Sequence, residues 1–586
     1  METIKKHRWV LGILAAAFVL RTVLMLLCDG YSTDVTCFVA WSENMVKYGA
    51  GGFYTGGFFA DYPPAYLYWL WGAGLINQAL GVEPFSAVSL YILGLLPLFC
   101  DMFTAWLAWY LCDRAGHSRL GIFALALLAF SPALVFNLAV WKQVDSVIAL
   151  SLLLCFLLLD RQRWYAAAAL YALSVLIKPQ AFIVGPVLAI GYLLPLFGWR
   201  SSKDRLRTLL TTAGSALLCL ALIFVGSLPF MGTQSAFWLP QKYLATMSYY
   251  SYGSVNAFNL FSALGGNWQP ADSGWLFTYS QWGIFFVLCS TVLVLWFGIA
   301  SAKKSRTNLT LLAALYGILV FTFAHGMHER YSLLFLVLLL FGFLKSRDSG
   351  LLKCFIAQSA ASFFNVAATL WCLTDSSVYG SSSWELCVRL GGALQVTIAL
   401  CLVACCYRIF CGSGAVECLP RQNMPATLTP QPWAQALPWS RRDIAYLAVP
   451  TILCALISFW ALGSRSVPET TWISSEADEV KVSFVSPTDI SEVWIYASIA
   501  DGYLEIWDDD RPFDPLLTAE TPFGDMYRWQ VFDEDFSAHS LTLRGYDASI
   551  NEIVFVNSEG NTVPLEYVSP DGKALFDEQA TRPLRP

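Results

Sequence analysis

A chain of 586 residues, 56% hydrophobic and only 13% charged, with a mean hydropathy of +0.54, carries more apolar surface than a soluble fold can bury, which excludes a water-soluble globular enzyme. The net charge of −6 is divided: residues 1–463 hold 28 Lys+Arg against 18 Asp+Glu, whereas residues 464–586 hold 8 against 24, so two regions face two solvents. All 16 cysteines precede residue 455, mostly inside apolar runs where a thiol acts as a small hydrophobe, with no CxxC zinc pattern or disulfide framework.

METIKKHRWVLGILAAAFVLRTVLMLL opens the chain with a basic flank and an apolar run. No small-x-small cleavage site precedes the polar residues that follow it and Arg21 interrupts it, so it reads as a retained first helix. Later apolar stretches are continuous and do not alternate, which predicts helices and not barrel strands. With Lys5, Lys6 and Arg8 cytoplasmic, thirteen spans are expected at about 9–28, 87–111, 120–138, 145–159, 165–178, 181–198, 209–229, 282–301, 308–324, 331–344, 354–372, 386–408 and 444–463. Arg114, Arg119, Arg161, Arg163, Lys303, Lys304, Lys345 and Arg347 then all fall in the cytoplasm. Seven basic residues of this region fall elsewhere: Arg21, Lys47, Lys142, Lys178, Lys242, Arg330 and Arg389.

Counting PPAYLYWLWGAGLINQAL, residues 63–80, as a span would put the later basic loops outside. It is expected to lie along the outer membrane surface as an amphipathic helix within a large first outer loop, residues 29–86. A second long outer segment runs from about 230 to 281. Residues 411–443, with Pro420, Pro425, Pro430, Pro432 and Pro438, read as a cytoplasmic linker before the last span at 444–463. From 464 to 586 the chain changes period: KVSFVSP, EVWIYASI, YLEIWD, YRWQVF, SLTLRGY and NEIVFVN alternate apolar and polar residues between turn residues. That pattern predicts an acidic extracytoplasmic β-sandwich of about 115 residues. The fold class is thus a polytopic α-helical membrane protein with a C-terminal all-β domain.

On this map the chemistry gathers at outer helix ends. Asp34 lies in YSTDVTCF, Asp61 in ADYPPAY, Lys142 and Asp145 in VWKQVDS, and Lys178 in LIKPQAF. FAHGMHERYSLL adds His325, His328, Glu329, Arg330 and Tyr331. Ionisable groups near hydrocarbon are costly and are functional candidates by default. Carboxylates, histidines and cations at a lipid boundary suit glycosyl transfer from a lipid-linked phosphate sugar. An Asp accepts the proton of the incoming hydroxyl, and Lys or Arg offsets the charge on the departing phosphate.

The first-loop Asp, the YPP opening a surface helix, the WxQxDS turn, the KPQ turn and the HxxHERY loop together resemble the GT-C superfamily of polyprenyl-phosphate-sugar glycosyltransferases, most closely its bacterial branch similar to the GPI mannosyltransferases. The resemblance covers roughly residues 9–410. It implies Asp34 as catalytic base, Asp61 as a second loop acid, and His325, His328 and Arg330 as contacts of the donor phosphate, with Lys178 a phosphate partner by position. Lys142, Asp145, Glu329 and Tyr331 would support them. It implies an inverting transfer of a hexose, mannose first, from a polyprenyl phosphate to a glycan, lipid or protein hydroxyl on the outer face of the cell membrane. With no isolated DxD in the first loop, no metal or cofactor is assigned, and no nucleic-acid partner is expected.

Each residue has a structural role open to it as well. Asp34 could cap a helix beginning at Val35, Asp145 could cap the helix after it, and Glu329 and Arg330 could form a loop-fixing ion pair. A transporter or flippase is the rival class, although the polar residues cluster at outer ends and the two halves do not repeat. The β-region resembles a galactose-binding-like carbohydrate module in strand pattern; Trp494, Trp507 and Trp529 could stack on sugars or pack a core. DDDRPFD, 508–514, reads as a solvated turn or a calcium loop.

Overall fold

A computed structural model describes residues 2–54, 59–197, 202–248, 251–274, 276–304, 307–374, 381–412, 472–474, 476–497, 502–510, 514–520 and 529–576. The first part is helical: α1 (Glu2–Leu27), α2 (Ser32–Phe53), α3 (Pro64–Leu80), α4 (Ala87–Leu93), α5 (Leu95–Arg114), α6 (Ser118–Ala129), α7 (Pro132–Ala139), α8 (Asp145–Asp160) and α9 (Trp164–Ile177). There follow α10 (Gly185–Leu193), α11 (Ser202–Ser227), α12 (Trp238–Ser248), α13 (Leu260–Ala263), α14 (Tyr279–Lys303), α15 (Leu309–Phe323), α16 (Leu333–Ser346), α17 (Ser349–Thr374) and α18 (Ser382–Cys411).

Seven helices among the described residues are long and apolar enough to cross a membrane, or eight if α6 and α7, bent by 43° at Phe130–Ser131, count as one. Thirteen spans are expected from the sequence, and the two counts part at identifiable places. Residues 444–463 and nearly all of the 411–443 linker lie outside the described residues. The span expected at 87–111 is kept as α5, with α4 set off from it at Gly94, whereas α8, expected as a span at 145–159, is 16 residues long and not among the long spans. The helices α9, α15 and α16 are 14 to 15 residues long, about 21–23 Å at 1.5 Å per residue, short of the roughly 30 Å of hydrocarbon. The helix α3, at 17 residues, is not among the long spans. It packs on α2 through Tyr66, Leu67 and Leu70.

One apolar core joins α1 to α18, whereas α11 and α14 keep Leu210, Leu217, Leu220, Leu288 and Val292 exposed, the kind of surface a hydrocarbon phase covers. Polar contacts tie the buried helices. The amides of Gln358 and Gln395 donate to each other's oxygens at 3.0 Å between α17 and α18, and Gln395 also donates to Thr322 of α15. Such interhelical bonds are worth about 0.6–2 kcal/mol in an apolar phase. Arg21 of α1, fully buried, meets Asp101 of α5 at 2.7 Å, donates to the Ala129 carbonyl at 2.6 Å, and so holds α1 against α5 and α6.

The tail forms one antiparallel sheet from β1 (Trp472–Ile473), β2 (Glu476–Ala497), β3 (Tyr503–Asp508), β4 (Leu517–Glu520), β5 (Trp529–Tyr546), β6 (Ser549–Val556) and β7 (Leu565–Val568). Strand order is β1-β6-β2-β5-β3-β4, with β7 also on β2. The expected sandwich is here a continuous sheet, because β2 and β5 run through register shifts at 483–488 and 490–492 and carry the pairing around the bends. Val480, Val482, Val493, Leu504, Leu543 and Phe555 form its core.

Replacing Arg21 with Met leaves Asp101 charged and buried without its partner, which costs about 3–5 kcal/mol. We expect a large drop in melting temperature in detergent, mostly recovered in Arg21→Met/Asp101→Leu; an unchanged single variant would show that the pair does not hold these helices.

Candidate functional site

The missing length of the short helices lies at one place. The α8–α9 pair and the α15–α16 pair pack against each other, and α8 begins at Asp145, α9 stops before Lys178, α15 stops at Phe323 and α16 starts at Leu333. Pro179 forces Lys178 into extended backbone (φ −158°, ψ 137°) and ends α9. Ala324 is extended (ψ 152°) and Gly326 takes φ 65°, which ends α15. The loop between α15 and α16 is clamped by the segment before α13: Val255 N–H donates to the Met327 carbonyl at 2.9 Å and Gly326 N–H to the Tyr252 carbonyl at 2.9 Å.

Asp34 and Arg330 meet there. Asp34 sits in the first turn of α2, behind Tyr31 at the N-cap position, so it does not cap the helix. The Trp141 indole N–H donates to Asp34 Oδ2 at 2.6 Å. Arg330 Nη2 lies 3.8 Å from Asp34 Oδ1, an ion-pair distance too long for a direct hydrogen bond. Arg330 Nη1 donates to Glu329 at 2.6 Å, and the guanidinium lies 5.8 Å over the Trp141 ring. Both Asp34 and Arg330 keep some exposure, 18% and 14% of their side chains, whereas Glu329 is down to 4%.

The turn that delivers Trp141 is unusual. Lys142 takes φ 67°, a left-handed conformation rare for a side-chain residue, and Tyr31 N–H donates to the Trp141 carbonyl at 3.3 Å. Gly30, at φ +90°, has no room for a Cβ, which would stand 2.8 Å from Val35 and 3.0 Å from Lys142. Lys142 itself turns away from the carboxylates: its ammonium donates to the Met25 carbonyl in the last turn of α1 at 2.5 Å, a favourable place for a cation. Burial pushes it down to about 8.

A second charged pair lies beside the first. Lys178 Nζ meets Asp145 Oδ1 at 2.5 Å, both nearly sealed from solvent. Gln143 accepts from Lys178 at 3.4 Å and from the Tyr62 hydroxyl at 3.3 Å, and Asn137 donates to Asp145 at 3.2 Å. Tyr62 is carried by the Asp-Tyr-Pro-Pro sequence, where Pro63 and Pro64 set the start of α3. The Lys178 ammonium lies 5.3 Å from the Tyr62 ring centre.

Asp61 stands electrostatically between these pairs. Burial and the Asp34 charge push its carboxyl up to about 6, against the pull of Lys178 and Arg330. Lys242 of α12 also feels the Asp61 charge and lies 5.8 Å from the Tyr54 ring centre. His328 is buried, its ring 5.1 Å from Tyr331, and burial with the nearby Arg330 and Lys178 charges holds it well below the usual imidazole range. Glu329 is pushed up by burial, with Arg330 opposing. Tyr331 is within hydrogen-bond reach of Gln180. Arg330 Nε, Gln143 Nε2 and Asn137 Oδ1 are buried without a hydrogen-bond partner among the described residues.

The structure therefore brings together Asp34, Asp61, Asp145, Lys178, His328, Glu329, Arg330 and Tyr331. His325 is not brought in: its imidazole packs against Gly283 of α14, and no charge of the cluster perturbs it. Lys142 is diverted to α1. Trp141, Gln143, Asn137, Tyr62 and Lys242 belong to the cluster without having been assigned to it. A signal was present for some of them, since Trp141 and Gln143 lie in the WxQxDS turn and Lys242 is one of the seven basic residues outside the loops expected to be cytoplasmic. Of the others, Arg389 forms an exposed pair with Glu385, and Lys47 lies over the Tyr48 ring.

The Asp61 proton is bound more tightly in the folded state than in the unfolded chain, so its ionised form costs stability above about pH 6, and the cost is relieved as pH falls through 6 toward the ordinary carboxylate range. Asp61→Asn is expected to raise the melting temperature at about pH 8 and to change it little at about pH 3.5. The same shift at both pH values would show that Asp61 does not titrate in this way.

Protein-family models scanned against the chain give no match, and no curated protein sequence is significantly similar to it.

Proposed function

We propose that this protein is an inverting membrane glycosyltransferase that moves a hexose, mannose first, from a polyprenyl-phosphate donor to an acceptor hydroxyl at the outer face of the membrane. The observation that carries the reading is Asp34: a carboxylate with one oxygen tied to Trp141 and the other facing a guanidinium at 3.8 Å. A base and an anion-binding cation then stand side by side with space between them.

In this mechanism Asp34 Oδ1 takes the proton as the acceptor oxygen attacks the anomeric carbon. The bond from that carbon to the phosphate oxygen breaks with inversion, and the electron pair leaves on the phosphate. Arg330 meets the growing charge through a guanidinium whose Glu329 partner fixes its plane. Lys178 is committed to Asp145, so it acts on the phosphate as a compensated charge, while Lys242, which feels the Asp61 charge, supplies a further cation. His328 and Tyr331 brace the loop.

A small recess with room for little more than a water molecule is lined by Met25, Val35, Phe38, Leu90 and Leu93, with Lys142 as the charged group among its lining residues, and it adjoins the turn of α2 that bears Asp34. The topology belonging to this proposal has thirteen spans, a cytoplasmic N-terminus, and the cluster and β-domain on the outer side. Membrane lipid, the donor and a glycan, lipid or protein acceptor are its partners.

Purified protein in liposomes, given radiolabelled polyprenyl-phosphate hexoses and candidate acceptors, should transfer label, and Asp34→Asn should lower the rate by about 10²–10⁴-fold. Full transfer by Asp34→Asn, or uptake of label without transfer, would remove the proposal. Trp141→Phe keeps the ring under Arg330 and loses the indole donor, a charge-assisted bond of about 1.5–3 kcal/mol. We expect kcat to fall about 10–100-fold with the donor KM little changed; a change confined to KM would assign Trp141 to donor binding.

A further inference from the structure

A charged patch lies at the opposite end of the helices from the recess, outside the transfer reaction. Arg161 and Arg163 stand at the C-cap of α8 and the N-cap of α9, and Arg205 and Arg207 stand in the first turns of α11. All four are exposed. The helices α9 and α11 are neighbours that run in parallel: a Cβ on Gly214 would stand 3.0 Å from the Tyr165 hydroxyl, and one on Gly226 would stand 2.7 Å from Leu176. Both therefore start at one end, away from the end of α9 that delivers Lys178 to the recess.

The chain leaves these arginines uncompensated. Other cations near helix ends have carboxylate partners, Arg408 with Asp348 and Arg389 with Glu385, whereas Arg161, Arg163, Arg205 and Arg207 form no ion pair among the described residues. Asp160, the acid next to Arg161, is taken by Lys345, and Asp204 is the one acid in the first turn of α11. The surface beside them is apolar. The span Lys203–Phe230 has 28 residues, and only 6% of its most apolar window is buried. At 1.5 Å per residue it is about 42 Å long, more than the roughly 30 Å of hydrocarbon, so its charged start reaches the headgroup layer. Leu206, Leu209 and Leu210 are exposed between and beyond the two arginines, and Tyr165 is exposed in the first turn of α9.

We propose that this end of α9 and α11 binds anionic phospholipid of the surrounding bilayer, headgroup phosphates on the arginines and acyl chains along the leucine face of α11. A guanidinium pairs with a phosphate through two parallel hydrogen bonds, and basic clusters at a membrane surface attract anionic headgroups. Phospholipid matches both the charges and the leucines. A soluble polyanion matches the charges alone, and a zwitterionic lipid brings no net charge to the four arginines. The inference rests on the membrane placement of α11 and not on the transfer reaction.

Native mass spectrometry of the full-length protein in detergent, titrated with phosphatidylglycerol or phosphatidylcholine of the same acyl chains, counts the bound lipids. Phosphatidylglycerol should bind about tenfold more tightly. Arg161→Gln/Arg163→Gln and Arg205→Gln/Arg207→Gln should each remove most of that preference, and Arg205→Lys/Arg207→Lys, which keeps the charge, should retain most of it. Arg389→Gln, which removes a paired cation, should leave it unchanged, and melting temperatures without added lipid should match the wild type throughout. Asp34→Asn should bind like the wild type, so a failure of the transfer reading leaves this result standing. The proposal is overturned if the two lipids bind alike, if both glutamine variants keep the preference, or if glycerol phosphate, which has no acyl chains, displaces phosphatidylglycerol at equal concentration.

Discussion

Ionisable groups set among apolar helices must be compensated where they stand, and that constraint organises this protein. A lone charge removed from water costs several kcal/mol, more than most single contacts return. Arg21 meets it with Asp101 and two backbone carbonyls, and Lys178 meets it with Asp145, Gln143 and the Tyr62 ring. The Arg21–Asp101 pair joins helices eighty residues apart, and the Lys178–Asp145 pair ties the consecutive helices α8 and α9, so charge compensation also fixes how neighbouring helices meet.

Asp34, Asp61 and Arg330 satisfy the same constraint less completely, and that difference separates structure from chemistry. Arg330 divides its guanidinium between Glu329 and Asp34, and only the Glu329 contact is a hydrogen bond. Asp61 is left between like and unlike charges with its carboxyl raised. A saturated ion pair is inert. A carboxylate held by one oxygen beside a partly engaged guanidinium can exchange a proton and receive an anion. Short helices make room for this: ends that fall short of the bilayer thickness expose backbone and loops only where they line a polar recess.

Alternation does for the β-domain what compensation does for the helices. Every second residue of β3 enters the core, so the intervening Tyr503, Glu505 and Trp507 form a surface by necessity. Cross-strand register with β5 then decides which side chains share it, setting Tyr546 beside Tyr503 and Arg544 beside Glu505. The result is a patterned polar-aromatic face on a strongly acidic module.

The residues alone determined the class of each region and the places where polarity interrupts hydrocarbon. Apolar length marked the helices, two-residue alternation marked the strands, and proline, glycine and charge marked the segments that became the recess. Asp34, Asp61, Lys178 and Arg330 were legible because an ionisable group beside an apolar run has few uses. Only the tertiary structure decided which of them meet. His325 and Lys142 carry the same sequence signal as His328 and Lys178, yet one packs on Gly283 and the other reaches back to Met25. Trp141 has a part in the cluster only because Lys142 adopts a left-handed turn and the indole is aimed at Asp34. Side-chain direction depends on backbone torsions and on neighbours a hundred residues away, and no local pattern of residues encodes that.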